Sequence, residues 1–346
     1  MSGFNYNKFD KLSHLIYLDN YLVSKSSFYF DKLISGHQLS RLQIDQSVFV
    51  TGLARAGTTV LFNTIFNSNE YAAIKYSGMP FLLMPNIWSR IHKSKKTDLI
   101  ERAHGDGIMF NQDSPEAFDE YFWKVFLKDI YISEKFLLPH SISDVLLSEY
   151  LNYIKLVCIS QKKTKYLSKN NNNILRLHSI SKLQANNFFL LVYRNPGDHA
   201  MSLLKEHKLF SSIHINDQFS LKYFDLLGHH EFGLHHKPFL FNTETESELA
   251  CFSKDEPDYW LCIWKQYYRY VIEYLLDFVE PLCFEDYANN AAQIAYYLNK
   301  SLNTQYIPEI PPRKKTSSYE FLFKNKDLYE ECMHIFNTLN NLRRYI

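Results

Sequence analysis

The feature of this 346-residue sequence that most limits its fold is a short loop at 52–57, which begins and ends with glycine. The β-branched and aromatic run SVFVT at 47–51 precedes the loop and predicts a buried strand. The run TTVLFNTIF at 58–66 follows it and predicts a helix. A strand, a tight loop and a helix in this order direct successive backbone N–H groups at an oxyanion beside the helix N-terminus.

The same order of elements returns further along the chain. The apolar run FFLLVY at 188–193 is followed by Arg-Asn-Pro-Gly and a helical stretch at 198–210. The run PLCF at 281–284 is a third strand candidate. Long segments with helical spacing lie between the strands, at 114–127, 142–158 and 259–278. Strands that alternate with helices predict an α/β fold with a central parallel sheet flanked by helices.

The remaining segments divide the chain into an extension and one main domain. Residues 1–46 mix apolar and polar positions at helical spacing, which predicts a helical N-terminal extension. We expect residues 47–346 to form the main domain. Within it, residues 211–256 are rich in histidine, phenylalanine and acidic residues without clear periodicity, and we expect an irregular insertion or lid there.

Charge and composition exclude several classes of protein. The 38 Lys and Arg residues against 37 Asp and Glu give a net charge of +1, so no broad basic surface for nucleic acid is expected. No run of apolar residues is long enough to predict a membrane span, and the first twenty residues lack the apolar core of a signal peptide. The five cysteines are odd in number and widely spaced, which favours reduced thiols and a cytoplasmic location.

The loop at 52–57 has the G-x4-G spacing of a P-loop but lacks one essential residue of the nucleotide-binding form. Thr58 occupies the position of the lysine that contacts the β- and γ-phosphates of a nucleoside triphosphate. A cation is instead supplied inside the loop by Arg55. A P-loop kinase that binds ATP with Mg²⁺ stays an alternative, although it would normally keep the lysine.

The segment VTGLARAGTTVL resembles the 5′-phosphosulfate loop of sulfotransferases that use 3′-phosphoadenylyl sulfate (PAPS). That family pattern has Lys or Arg, a small residue, Gly, two hydroxyl residues and a large apolar residue. The positions are filled in order by Arg55, Ala56, Gly57, Thr58, Thr59 and Val60. The resemblance implies that residues 55–59 bind the 5′-phosphosulfate of PAPS.

A second segment, FFLLVYRNPGDHAMSLLKEH, matches the same family in the expected order along the chain. Arg194 ends a predicted strand, and Ser202 lies eight residues later on the following helix. An arginine can bind a phosphate with two parallel hydrogen bonds, and a serine hydroxyl adds a neutral donor. By resemblance, Arg194 and Ser202 bind the 3′-phosphate. Arg313 and Lys314 in a basic loop are further candidates for the same phosphate.

The segment before that strand resembles the one that carries the catalytic lysine of the family. Lys169 lies 25 residues before Arg194, and a lysine there would stabilise negative charge on the leaving group. The cytosolic branch of the family has a catalytic histidine two residues after this lysine, where this sequence has Asn171. Since an asparagine side chain cannot accept the proton of the acceptor, we expect the general base to come from elsewhere.

The segment at 101–123 offers the best candidates for that base. His104 and Asp106 flank a glycine and can both be presented by a sharp bend. A carboxylate base would fit the carbohydrate-modifying branches of the family, which use glutamate. Residues 114–116 are interpreted as a helix start, with Glu116 opposing the helix dipole. His178 is a weaker candidate and is interpreted as a histidine satisfied within the fold.

Two other features are interpreted as structural or as contacts for the acceptor. Trp260 and Trp264, four residues apart, are expected to be core residues. The run GHHEFGLHH at 228–236 has four histidines, but His230 and His235 lie five apart with a glycine between them, so a helix would not align them for zinc. We expect no metal site there and interpret the run as part of the lid.

The resemblance covers roughly residues 47–290 and implies a P-loop NTPase-like fold. It implies transfer of a sulfuryl group from PAPS, leaving PAP, to a hydroxyl or amine of a glycan, lipid or small-metabolite acceptor, without a metal. One alternative is a P-loop kinase acting on a nucleotide or small molecule. Another is a catalytically inactive PAP-binding protein, because Asn171 stands at the usual base position.

Overall fold

The computed structural model describes residues 8–92, 98–101, 107–183, 186–304, 319 and 322–345. Its strands are β1 (Gln46–Thr51), β2 (Tyr71–Ala72), β3 (Ile100–Glu101), β4 (Met109–Phe110), β5 (Lys165–Lys169), β6 (Asn187–Tyr193) and β7 (Glu280–Cys283). The first helices are α1 (Lys8–Asp19), α2 (Tyr21–Ile34), α3 (Gly36–Arg41), α4 (Thr58–Phe66), α5 (Pro85–Ile91), α6 (Glu120–Tyr131), α7 (Asp144–Gln161) and α8 (Leu177–Ile180). The later helices are α9 (Pro196–Asn216), α10 (Gln218–Leu227), α11 (Thr243–Leu249), α12 (Pro257–Tyr274), α13 (Asp286–Asn289), α14 (Ala291–Ser301) and α15 (Lys326–Asn341).

A five-stranded sheet in the order β2-β5-β1-β6-β7 forms the centre of the fold, and every pair of neighbouring strands is parallel. The chain leaves β1 towards β2 on one side and leaves β6 towards β7 on the other. The carboxyl ends of β1 and β6 therefore border a topological switch point, where ligands of open α/β sheets bind. The predicted α/β class with a central parallel sheet flanked by helices is confirmed.

The predicted strands lie within one residue of the observed ones because their sequences are almost wholly apolar. All six residues of β1 are buried, and the stacked rings of Phe49 and Phe189, 5.0 Å apart, join β1 to β6. Strand β5 was not predicted. Its sequence KYLSK contains two lysines and a serine, so it lacks the apolar pattern of a buried strand, although its last four residues are buried. Burial on both faces is typical of a central parallel strand.

Helix α4 has the predicted bounds, whereas α6 begins at Glu120 and not at residue 114. The predicted helix start at 114–116 is therefore wrong. Pro115 forms an antiparallel bridge with Lys75, and the N–H of Glu116 donates to the carbonyl of Ile74 at 3.0 Å. These bonds hold residues 115–116 extended beside the chain that follows β2.

Residues 211–256 are less irregular than expected. Helix α9 continues to residue 216, and α10 and α11 lie within the segment, so only residues 217, 228–242 and 250–256 lack regular helix. Asp217 accepts a bond from the N–H of Phe219 at the start of α10, and Gly228, with φ 78°, ends that helix. Asn242 caps α11 in the same way. The helices were missed because capping residues, and not apolar periodicity, mark their ends.

Helices α1 and α2 pack onto the sheet and the helices that flank it. Tyr17, Leu18 and Phe28 belong to the same apolar cluster as residues of the sheet and of α6 and α7. Buried Asp31 accepts bonds from the N–H groups of Asn86 and Ile87, at 2.8 and 3.3 Å, and so caps α5. The described part of the chain contains no helix that is both long and apolar enough to cross a membrane.

The buried side chains include several that the sequence marked as core residues. Trp260 and Trp264 are buried on α12, as predicted. All five cysteines are free thiols, and those other than Cys251 are buried. Burial raises the pKa of Cys262 to about 12, so this thiol stays protonated at neutral pH.

Candidate functional site

The loop at 52–57 follows β1 at the carboxyl edge of the sheet, and its two glycines are required by close approach of the backbone. At Gly52 (φ 149°) a Cβ would lie 2.4 Å from the carbonyl oxygen of Val192. At Gly57 (φ 103°) it would lie 2.4 Å from the ring of Phe284. Helix α4 begins directly after Gly57, so the first N–H groups of the helix have no partner within it and face the cleft beside the loop.

Arg55 joins this loop to the second predicted segment. It adopts a left-handed conformation with φ 69°, which turns its side chain towards α9. Its Nε atom lies 3.4 Å from Oγ of Ser202 and 3.5 Å from Oε2 of Glu206. The two segments predicted to bind phosphate groups therefore converge, although 147 positions separate Arg55 from Ser202.

Arg194 follows β6 and lines the same cleft as Arg55. Its guanidinium carbon lies 4.8 Å from the ring centre of Phe284, and its Nε lies 3.9 Å from Oε1 of Glu285. Burial lowers the pKa of Arg194 below its usual value, while Glu285 acts in the opposite direction. Asn195 caps α9 by accepting a bond from the N–H of residue 198. The N-terminus of α9 thus lies beside a largely buried cation.

Lys169 is the last residue of β5 and lies between the loop and a carboxylate. Its Nζ donates to Oγ1 of Thr59 at 3.2 Å and to Oε1 of Glu116 at 3.1 Å. The lysine and glutamate side chains are 9% and 12% exposed, so water screens this ion pair weakly. The structure therefore places a cation and a proton-accepting carboxylate in contact at the end of the loop.

Glu116 is the residue that sequence reasoning misinterpreted. It opposes no helix dipole, because α6 begins four residues later. Tyr76 donates its hydroxyl to Oε2 at 2.8 Å, and the N–H of Ala117 donates to Oε1 at 2.8 Å. These bonds hold the carboxylate beside Lys169. The only signal in the sequence was an acidic residue at a predicted turn, and nothing local indicated contact with a lysine 53 positions away.

A buried ion pair supports the segment that follows Lys169. Arg176 binds Glu120 with two bonds, of 2.9 and 3.1 Å, and lies over the rings of Trp123 and Tyr131. Burial would raise the pKa of Glu120, but Arg176 lowers it by more. Glu120 also accepts a 2.7 Å bond from Asn170. This network fixes the residue next to Lys169.

The opposite wall of the cleft comes from the end of α9, from α10 and from the loop at 228–236. Phe210, Phe224 and Phe232 supply aromatic rings there. Nδ1 of His229 lies 3.7 Å from Oε2 of Glu231, and Asn171 donates to Oε1 of Glu231 at 3.3 Å. Burial would raise the pKa of Glu231, but these two neighbours bring it down to about 2. Glu231 is therefore a carboxylate at neutral pH.

The other histidines of the run at 228–236 have separate partners. His230 and His235 both lie near Asp225, at 3.8 and 2.6 Å. His236 lies 3.2 Å from the hydroxyl of Tyr259. Among the residues that the structure describes, no group of three His, Cys, Asp or Glu side chains is arranged to hold a metal ion.

The remaining candidate residues are His178, which is described, and four residues that are not. His104, Asp106, Arg313 and Lys314 lie outside the described residues. His178 is exposed, and its ring packs edge-on against Phe278 at 5.3 Å. Chemically, the described cleft combines helix N-terminal N–H groups, three cations from separate segments and one carboxylate beside a lysine. This arrangement suits an anionic ligand and transfer of a proton.

Comparisons with known proteins give only remote similarities. No protein-family model matches the chain, and no curated protein matches it. Sulfotransferase STF1 from Mycobacterium tuberculosis H37Rv aligns over 92% of this chain and 78% of its own, with 10% identity and a TM-score of 0.43. Sulfotransferase STF9 from Mycobacterium avium aligns over 96% of this chain and 78% of its own, with 10% identity and a TM-score of 0.49. Similarities this remote assign no activity to this protein.

Proposed function

We propose that the protein is a sulfotransferase that moves a sulfuryl group from PAPS to a hydroxyl or amine of an acceptor. The observation that carries the proposal is the position of Lys169, whose Nζ contacts both Thr59 of the anion-binding loop and the carboxylate of Glu116. This contact brings together the three parts that such a transfer needs: a donor-binding loop, a cation for the leaving group and a proton acceptor.

The residues present fit the two anionic ends of PAPS. The N–H groups at the start of α4, with the side chain of Arg55, would bind the 5′-phosphosulfate. Arg194 and Ser202 would bind the 3′-phosphate. The position of Arg194 supports this assignment, because its largely buried guanidinium lines the cleft and an arginine can bind a phosphate with two parallel hydrogen bonds. Arg313 and Lys314 stay candidates for the same phosphate.

Each side chain at the centre of the cleft has a role in this proposal. The bond from sulfur to the bridging oxygen of the donor breaks, and a bond from sulfur to the acceptor oxygen or nitrogen forms. Lys169 stabilises the negative charge that develops on the bridging oxygen. Glu116 takes the proton that the acceptor loses, in place of His104 or Asp106. When PAPS binds, Lys169 gives up its hydrogen bond to Glu116 and donates to the bridging oxygen of PAPS, which frees the carboxylate to take the proton.

The inactive PAP-binding alternative rests on Asn171 at the usual base position. The side chain of Asn171 instead donates a hydrogen bond to Glu231, which lies on the opposite wall of the cleft. Glu116 supplies a base from a different segment, which favours an active enzyme. The kinase alternative lacks support from the loop, since Thr58 and not lysine begins α4.

Thermal unfolding with three nucleotides separates these possibilities. We expect PAP and PAPS to raise the melting temperature and Mg-ATP to leave it nearly unchanged, because a ligand stabilises only the protein that binds it. Stabilisation by Mg-ATP but not by PAP would contradict the proposal and favour the kinase. Stabilisation by PAP, without sulfate transfer to any compound in a panel of hydroxyl and amine acceptors, would favour the inactive protein.

A further inference from the structure

Three buried hydrogen-bond acceptor atoms on residues that line the cleft lack a donor in the described parts of the chain. They are Oδ1 of Asn171, Oδ1 of Asn172 and Nε2 of His229, all buried and without a hydrogen-bond partner in the described parts of the chain. The three residues line the same cleft as Lys169. Buried polar atoms are normally paired, so three such acceptors on residues that line one cleft indicate a ligand that supplies donors.

The neighbours of His229 determine which of its nitrogens accepts. Nδ1 lies 3.7 Å from Oε2 of Glu231, whose negative charge favours a proton on Nδ1. We therefore assign the unprotonated nitrogen to Nε2. Glu231 also accepts a bond from Nδ2 of Asn171, which leaves Oδ1 of that amide as the atom without a partner. One carboxylate thus orients both side chains so that each presents an acceptor.

Aromatic rings adjoin these acceptors. The centres of the Phe210 and Phe224 rings lie 4.9 Å apart, and the ring of Phe224 meets that of His229 edge-on at 5.9 Å. Phe232 lies next along the same wall, stacked on Phe210 at 6.4 Å. An apolar wall beside several acceptors fits a ligand with an apolar face and several O–H groups.

We propose that Asn171, Asn172 and His229 select a polyhydroxylated, carbohydrate-like acceptor over one with a single hydroxyl group. This inference rests on the proposed function. An acceptor with one hydroxyl uses its only O–H at the reacting position, and the three atoms stay without donors. A polyol donates to them as well, and a site with buried acceptors discriminates strongly against a ligand that leaves them unpaired.

Two ligands with the same alkyl chain test this preference. Calorimetry would measure the binding of octyl β-glucoside, below its micellar concentration, and of 1-octanol to the protein saturated with PAP. We expect the glucoside to bind at least about tenfold more tightly, because it satisfies acceptors that octanol cannot. Equal or weaker binding of the glucoside, including no binding of either compound, would overturn the proposal. Failure of PAP itself to bind is a separate result, which would contradict the proposed function.

Variants separate selection from a structural role. His229→Phe and Asn172→Leu remove one acceptor each while keeping the approximate shape, so each should weaken glucoside binding about threefold to tenfold. PAP affinity and octanol affinity should not change. His229→Gln keeps an acceptor and should restore most of the glucoside affinity, whereas His37→Phe, at an exposed histidine on α3, is the matched control. Equal losses for glucoside and octanol, or no loss in either variant, would overturn the assignment.

Discussion

Nζ of Lys169 lies 3.1 Å from Oε1 of Glu116, although the two residues are 53 positions apart. Lys169 ends a buried parallel strand, and Glu116 lies in an extended segment held by backbone bonds to the chain after β2. The contact therefore depends on the packing of two separate elements. It places the charge of the lysine and the basicity of the carboxylate at the end of the loop at 52–57.

Lys169→Met should abolish most sulfuryl transfer while PAP still binds. Loss of one preorganised electrostatic contact to a developing charge costs about 10²–10³ in kcat. Lys165→Met is the matched control, since this lysine lies on the same strand but pairs with Glu70 at 2.8 Å, away from the cleft. Steady-state assays with PAPS would measure both variants. Comparable rates for Lys169→Met and Lys165→Met would show that Lys169 does not act on the leaving group.

Arg194→Ala should weaken PAP binding by well over tenfold. A hydrogen bond to a charged group contributes about 1.5–3 kcal/mol, and Arg194 is largely buried where water cannot replace it. Arg269→Ala removes an arginine that pairs on the surface with Glu273 and serves as the control. Isothermal calorimetry would measure the affinities. Unchanged PAP affinity in Arg194→Ala would refute the assignment of the 3′-phosphate site.

Gly57→Ala should destabilise the loop and reduce PAP binding. The new Cβ would lie 2.4 Å from the ring of Phe284, at a φ of 103° that alanine rarely adopts. We expect a loss of about 1–3 kcal/mol in the free energy of unfolding. Gly36→Ala is the control, because no atom lies within 4 Å of its added Cβ and alanine favours the helix there. Urea denaturation would measure the free energy of unfolding of both variants. Equal values would contradict the prediction that a Cβ at position 57 strains the loop.

Two buried histidines should make the protein less stable in acid. Burial lowers the pKa of His199 and of His236 to about 3, so both stay neutral in the folded protein while they become protonated in the unfolded chain below about pH 6.5. The unfolded state then binds more protons, and the free energy of unfolding falls as the pH decreases. From pH 7.5 to 5.5 each histidine contributes a loss of about 1.4 kcal/mol.

Buried carboxyl groups with a raised pKa, such as Asp119, oppose this effect. Burial raises the pKa of Asp119 to about 6, so this group becomes protonated in the folded state over the same pH range. This protonation increases the free energy of unfolding by about 1 kcal/mol. His236→Gln should reduce the net pH dependence by about 1.4 kcal/mol, while His37→Gln, at an exposed position, should leave it unchanged. Urea titrations at the two pH values would measure this. An identical pH dependence in His236→Gln and the parent protein would contradict the prediction.

Local chemistry was sufficient to predict the elements around the loop. Apolar runs at 47–51 and 188–193 indicated buried strands, and glycine at 57 followed by TTVLFNTIF indicated the start of α4. Strand β5 escaped detection because its burial depends on neighbours on both sides, while its own residues include lysine and serine. Position in the sheet, and not composition, makes those residues buried.

Predictions for the site divide in the same way. Arg55 and Arg194 each follow a predicted strand. Because the carboxyl ends of parallel strands meet at one edge of the sheet, the sequence was sufficient to place both arginines at that edge. Glu116 and Glu231 could not, since each reaches the cleft through a loop whose path depends on tertiary hydrogen bonds. His104 and Asp106, the predicted bases, lie outside the described residues, so their role stays a prediction.

The most direct test of the central claim measures transfer of labelled sulfuryl from PAPS to acceptors in fractionated cell extract, with the parent protein and Glu116→Gln. We predict a labelled acceptor with the parent protein and a rate about 10²–10⁴ lower with Glu116→Gln, with equal PAP affinity in both. Equal transfer by the two proteins would contradict Glu116 as the base beside Lys169. If the parent protein transfers no label to an acceptor in any fraction, the proposed sulfotransferase activity is contradicted.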